Sequence, residues 1–256
     1  MQISVHLENP QPDASASGPA VVGWFLNLDK GGVMYDAPQR ARTRAVNRSH
    51  PKSAARCPAA INAESRYFEI KCPFDLHLQF TRDSAGQANL RSLDGDASGI
   101  RAAKLKEVVH LVKENEWRFP DRPTLQLILP YVFVSDEAVY VSQLPPFLHY
   151  RPDPWPGTQF CGRFPINVWP RPLLWAFEWH DIEKPLILRR GEPLFYVAFE
   201  TLPQDRPVQL VEAEKTKELL AYYDMISGVT NYVNQTFSLF QAAEERRPAK
   251  LLTPKS

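Results

Sequence analysis

From Trp117 to Glu200 the chain is a succession of short apolar runs punctuated by proline. Six of these runs read as strands: 124–133, 138–144, 160–169, 173–180, 184–189 and 193–200. Their β-branched and aromatic content fits strands better than helices. The run from Leu194 to Phe199 is apolar on both faces, as expected at the centre of a sandwich. Upstream, residues 66–82 predict two strands interrupted at Pro73, with Asp75, His77 and Gln79 on one face and Leu76, Leu78 and Phe80 on the other. Ile3, Val5 and Leu7 alternate like an opening strand, and Leu90 and Leu93 suggest another. The run from Ala20 to Leu28 is ambiguous. Residues 102–116 fit either a helix, through Leu105, Val108, Val109 and Val112, or a strand at KEVVHLV.

Residues 212–247 break this rhythm. They contain no proline, and Leu219, Tyr222, Tyr223, Ile226, Val229, Val233, Phe237 and Phe240 recur at helical steps. Gly228 kinks or splits the helix, and Pro248 stops it. The basic tail PAKLLTPKS is expected to fray. The expected fold is therefore mainly β, a β-sandwich or jelly-roll-like core with a C-terminal amphipathic helix. Residues 1–210 form the β-rich part, and residues 211–256 form the helix and tail.

Composition sharpens this picture in one respect. The chain of 256 residues has 24 prolines and 11 glycines, which favours short strands joined by stiff loops over flexible linkers. A net charge of +1 gives no global argument for nucleic acid. No apolar stretch is long enough to span a membrane and the N-terminus lacks a signal pattern, so the expected compartment is the cytoplasm. Three cysteines, Cys57, Cys72 and Cys161, lack the spacing of a disulfide framework or a zinc ribbon. Cys57 and Cys72 each precede proline in apolar surroundings and are expected to be buried and inert.

Candidate chemistry is sparse. No nucleophile elbow, phosphate loop or deaminase signature occurs. A metal centre needs two histidines and a carboxylate on one point, and Asp75, His77 and His180 are the candidates for Fe(II) in a jelly-roll oxygenase. Asp75 and His77 share a strand face, but His180 and Asp181 are adjacent and point apart. Gly191 supplies positive φ in a hairpin between residues 187–190 and 193–197. The segment 155–199 concentrates aromatic rings, including four of the six tryptophans, with arginines nearby. Trp175, Phe177 and Trp179 share one face of a strand; Glu178 lies on the other. Trp175, Glu178, Trp179, Arg171 and Arg190 are thus candidates for an aromatic and arginine-lined pocket. A basic arm at 36–56, with Arg40, Arg42, Arg44 and Arg48, is a candidate phosphate contact for nucleic acid.

Five segments carry a resemblance: RCPAAINA, EIKCPFDLHL, PTLQLILPYVF, the run from Trp169 to Glu200, and RRPAKLL. Together they resemble an uncharacterised family of tailed phages of marine bacteria and some bacterial genomes. The resemblance implies a phage-type origin, hence a host cytoplasm, and a β-rich fold. It implies no established activity, so it transfers no residue role. The resulting expectation is a ligand-binding or assembly protein, with the C-terminal helix packing on the sheet or mediating homo-oligomer formation.

Overall fold

The structure, a computed structural model, describes residues 18–28, 33–42, 50, 52–95, 100, 102–204, 206–229 and 236–255. The expected strand at Ile3, Val5 and Leu7, the arm residues Arg44 and Arg48, and Val233 lie outside these residues.

Three sheets account for the strands. The first has the order β14 (Val208–Glu212), β1 (Ala20–Leu26), β7 (Thr124–Val134), β11 (Pro172–Trp179), β9 (Gly157–Gln159), with β6 (Val109–Leu111) also pairing with β7. The second has the order β10 (Arg163–Pro165), β8 (Tyr140–Leu144), β13 (Pro193–Glu200), β3 (Tyr67–Lys71), β2 (Gln39–Arg40). The third joins β12 (Leu186–Leu188), β4 (Leu76–Arg82) and β5 (Ala88–Ser92). Four helices complete the described chain: α1 (Pro58–Arg66), α2 (Ala102–Val108), α3 (Lys217–Val229) and α4 (Thr236–Glu244). The protein is mainly β, with several sheets and C-terminal helices, as the sequence pattern predicts. One pairing departs from the all-antiparallel scheme of a jelly roll: β1 and β14 run parallel, Ala20 opposite Val208.

The long strand β7 organises both cores by its period of two. Leu125, Leu127, Leu129, Tyr131 and Phe133 are fully buried and face the main core. There Phe133 meets Phe199 of β13, which in turn meets Phe68 of β3, at centroid distances of 5.2 and 5.6 Å. On the other face, Val132 and Val134 join Phe25 beneath Leu219, Tyr222, Tyr223 and Ile226 of α3. The helix layer stops there, and Ile128 remains 47% exposed. Pro130 can give no ladder N–H. It falls where the β7–β11 register shifts, between Pro172 and Leu174, so the missing donor coincides with an existing break.

Several expectations change in detail. The helical segment is preceded by β14, which crosses position 211 to pair with β1, and the helix is split into α3 and α4. The tail is docked rather than frayed. Leu251 and Leu252 are buried, and their backbone N–H groups both donate to Asp136 Oδ1. Gly23 on β1 makes room for this, since a Cβ there would lie 2.2 Å from Leu252 Cδ1. Residues 102–116 are helix and strand in turn: α2 ends at Val108 and β6 begins at Val109. The predicted strand 160–169 shrinks to β10, and Gly157–Gln159 forms β9 in a different sheet. Gly191 does have φ of 80°, but β12 and β13 belong to different sheets, so its turn is a crossover and not a hairpin.

Candidate functional site

Strand β11 separates its residues as the alternation requires, yet it assigns them unexpected tasks. Trp175, Phe177 and Trp179 are completely buried. Trp175 stacks on Phe177 at 5.2 Å, and Trp155 meets Trp175 edge-on at 5.2 Å. Both indole N–H groups are satisfied internally: Trp175 Nε1 donates to Gln159 Oε1, and Trp179 Nε1 to the carbonyl oxygens of Asp181 and Lys184. These rings are fully buried core rather than a surface, a correction to the candidacy of Trp175 and Trp179. Large rings gain most by complete burial once their polar atoms have partners.

The opposite face of β11 presents Glu178, flanked in the ladder by Thr124 of β7 and Thr158 of β9. β9 comes very close here. A Cβ on Gly157 would lie 2.0 Å from the Glu178 carbonyl oxygen, so glycine is needed for this approach. The carboxylate is only 2% exposed. It is held by the segment that leads into β7. Trp117 anchors that segment, buried against Phe80 and donating Nε1–H to the Val112 carbonyl oxygen. After it, the sequence Arg118-Phe119-Pro120-Asp121-Arg122-Pro123 turns through an Arg122 N–H bond to the Phe119 carbonyl oxygen, and the Pro123 carbonyl oxygen receives the Trp179 N–H.

Two guanidiniums and an imidazole thereby converge on one buried carboxylate. Arg118 Nη2 donates to Glu178 Oε1 at 3.2 Å, and Arg118 Nε lies 3.1 Å from Oε2 without hydrogen-bond alignment. Arg122 Nη1 is 3.7 Å from Oε1. His180 Nε2 is 3.0 Å from Oε1 and 3.3 Å from Thr158 Oγ1. Arg118 also lies over the rings of Phe119 and Phe160, and Arg122 lies over Phe119 at 4.3 Å. Arg118, Arg122 and His180 are 59, 37 and 42% exposed, so their outer N–H groups meet solvent. Among the described residues, Glu178 is the only ion-pair partner of either arginine. One buried acid therefore orients two exposed bases and leaves a surplus positive charge over an aromatic platform.

The other candidates are dispersed. His77 Nδ1 contacts Asp94 Oδ1 at 3.3 Å, while Asp75 Oδ1 accepts the Arg190 backbone N–H. His180 belongs to the Glu178 cluster. The proposed Fe(II) triad is thus three separate contacts, and among the described residues no group of three His, Cys, Asp or Glu is placed to hold a metal. Arg171 lies over Trp169 at 4.3 Å; burial lowers its pKa. It precedes β11, some seven residues from Glu178, or roughly 23 Å along an extended strand. Arg190 is exposed in the turn between β12 and β13, whose sheets do not include the strand of Glu178. In the basic arm, the Arg40 guanidinium donates to the carbonyl oxygens of Ser65 and Val208 and lies over Phe68 at 5.0 Å. It is a strut across the second sheet's edge, whereas Arg42 is exposed. Arg118, Arg122 and Phe119 are absent from the sequence-derived candidates. Their signal was an arginine pair bracketing an aromatic residue and a proline, just ahead of a core strand.

No helix among the described residues is long and apolar enough to cross a membrane. Comparison with protein-family models, with curated proteins and with solved structures gives no match.

Proposed function

We propose that this protein is a ligand-binding or interaction protein that recognises an anionic group at the Arg118–Arg122–His180 rim. The observation that carries this reading is the charge imbalance around Glu178: two guanidiniums share a single buried carboxylate and keep outward donors. Guanidinium forks suit phosphate and carboxylate oxygens, and Phe119 beside them offers a flat apolar surface. An anion attached to a planar ring, such as a nucleoside phosphate, satisfies both. The phage-type origin implied by the resembling segments belongs to the same proposal.

The test is titration of the full chain with pyrophosphate and with a nucleoside monophosphate, followed by calorimetry. Saturable binding that weakens with added salt is expected. An Arg118→Ala/Arg122→Ala pair should weaken it at least about tenfold, the loss of one or two charge-assisted contacts. Equal affinity in that variant refutes the site. The nucleoside phosphate should also bind more tightly than pyrophosphate per charge; the reverse order removes Phe119 from the reading.

A further inference from the structure

Two sheet edges end in the same cleft. It has a volume of about 1240 Å3 and lies between β5, β6 and α2, on a part of the surface not shared with the Arg118 cluster. β5 is the last strand of the three-stranded sheet, and among the described residues β6 pairs only with β7. The registers show which backbone groups each edge presents. Between β4 and β5, the Leu93 N–H bonds the His77 carbonyl and the Asp83 N–H bonds the Gln87 carbonyl. Pairs alternate in an antiparallel ladder, so the N–H and C=O groups of Ala88, Leu90 and Ser92 turn away from β4. On β6, the Val112 N–H bonds the Thr124 carbonyl, so Val109 and Leu111 turn their backbone groups away from β7.

The β5 edge is only partly blunted. Glu114 accepts the Ala88 N–H, and the Asn89 side chain accepts the Leu90 N–H. Ser92 Oγ is buried at this edge with no hydrogen-bond partner among the described residues. The cleft floor is apolar, formed by Leu90, Leu105, Leu111 and Val112, each half-buried. Its rim is basic. Arg91, Lys106 and Lys113 are exposed, and Glu114, the only carboxylate lining the cleft among the described residues, is already paired with Arg82 at 2.7 Å.

We propose that this cleft binds an extended, acidic segment of a partner protein, which adds as a strand to the β5 edge. Main-chain hydrogen bonds would come from the outward carbonyls of Ala88, Leu90 and Ser92 and from the Ser92 N–H, and alternate side chains of the incoming strand would reach the apolar floor and the basic rim. Acidic residues complement three cations that have no ion-pair partner among the described residues, and that match selects the occupant.

The probe is a fluorescein-labelled synthetic peptide of alternating glutamate and valine, added to the full chain and followed by anisotropy. Saturable binding is expected, with the lysine–valine counterpart not binding. A Lys106→Glu/Lys113→Glu pair should weaken binding by about tenfold or more, since like charge then faces the peptide. Methylating alternate amide nitrogens of the peptide should weaken it by at least about tenfold, because strand addition depends on those donors. Unchanged affinity in the lysine variant places binding elsewhere and overturns the proposal. Undiminished binding of the methylated peptide overturns strand addition, and absence of binding at millimolar peptide overturns the site. A synthetic peptide of residues 1–9 that displaces the probe with higher affinity would assign the cleft to this chain's own segment, against the partner proposed.

Discussion

The three thiols show how a single residue's surroundings decide its chemistry. Cys72 is buried, donates to the Phe74 carbonyl oxygen at 3.1 Å, and burial pushes its pKa up to about 12. Cys57 is exposed at the start of α1, where the Ala60 and Ala59 backbone N–H groups lower its thiol pKa. Cys161 is exposed, and partial desolvation raises its pKa. Reaction with a disulfide reagent at pH 8 should therefore proceed in the order Cys57, then Cys161, with Cys72 reacting only after denaturation, because the thiolate is the nucleophile. Mass spectrometry of partially labelled protein reads this order directly; early labelling of Cys72 would contradict the fold around it. The sequence makes Cys57 and Cys72 look alike, each before a proline in apolar company. They differ because Pro58 opens a helix at the surface, whereas Pro73 ends a core strand. Glu178 was legible for a simpler reason: strand alternation alone separates it from its two tryptophan neighbours. The arginines that pair with it come from sixty and fifty-six positions upstream, and no local pattern encodes that meeting.

At the level of elements, close approaches carry the architecture. β9 is three residues long and can lie against β11 only because Gly157 has no side chain. Gly157→Ala should force β9 away and cost about 1–3 kcal/mol, the usual range for overpacking. Thermal melting measures the cost. An NMR shift of the His180 ring would report the loosened Glu178 cluster; a variant as stable as the parent would show that β9 is dispensable. α3 and α4 are joined differently. The Tyr222 hydroxyl hydrogen-bonds with the carbonyl oxygens of both Val168 and Ala243, and burial pushes its pKa up to about 12. Tyr222→Phe leaves two buried carbonyl oxygens without this donor, which should cost about 1–2 kcal/mol in denaturant unfolding with the m-value unchanged. The helical period announced α3 clearly. The short strands β2, β9 and β14 are hidden and β10 is overextended, since stretches this short without a distinct apolar run carry too little alternation to read.

For the molecule as a whole, the C-terminal segment is part of the β architecture. α3, α4 and the docked tail cover Phe25, Val132 and Val134, which would otherwise be a bare apolar sheet face. Removing residues 213–256 should leave a chain that binds a hydrophobic dye, associates in size measurements and loses its cooperative melt, as exposed apolar patches of this kind do. A folded, monomeric product with an unchanged melting profile would refute the two-faced role of the first sheet. The mainly β character, the proline-bounded strands of the middle region and the C-terminal helical period were all readable from hydrophobic spacing. The pairing of strands into three sheets was not, because register and strand order depend on contacts between residues far apart in the chain.

The parallel pairing of β1 with β14 has a consequence in time. Trp24 and Glu212, opposite each other in that ladder, are separated by most of the sheet-forming chain. Bringing such distant segments together carries a loop-closure cost before any contact rewards it, which places folding toward the slow, millisecond-to-second end for domains of this kind. Until that closure occurs, β1 has an open flank available to any neighbouring strand. Refolding yield should accordingly fall as protein concentration rises, with the loss arising during this waiting period rather than from the finished structure.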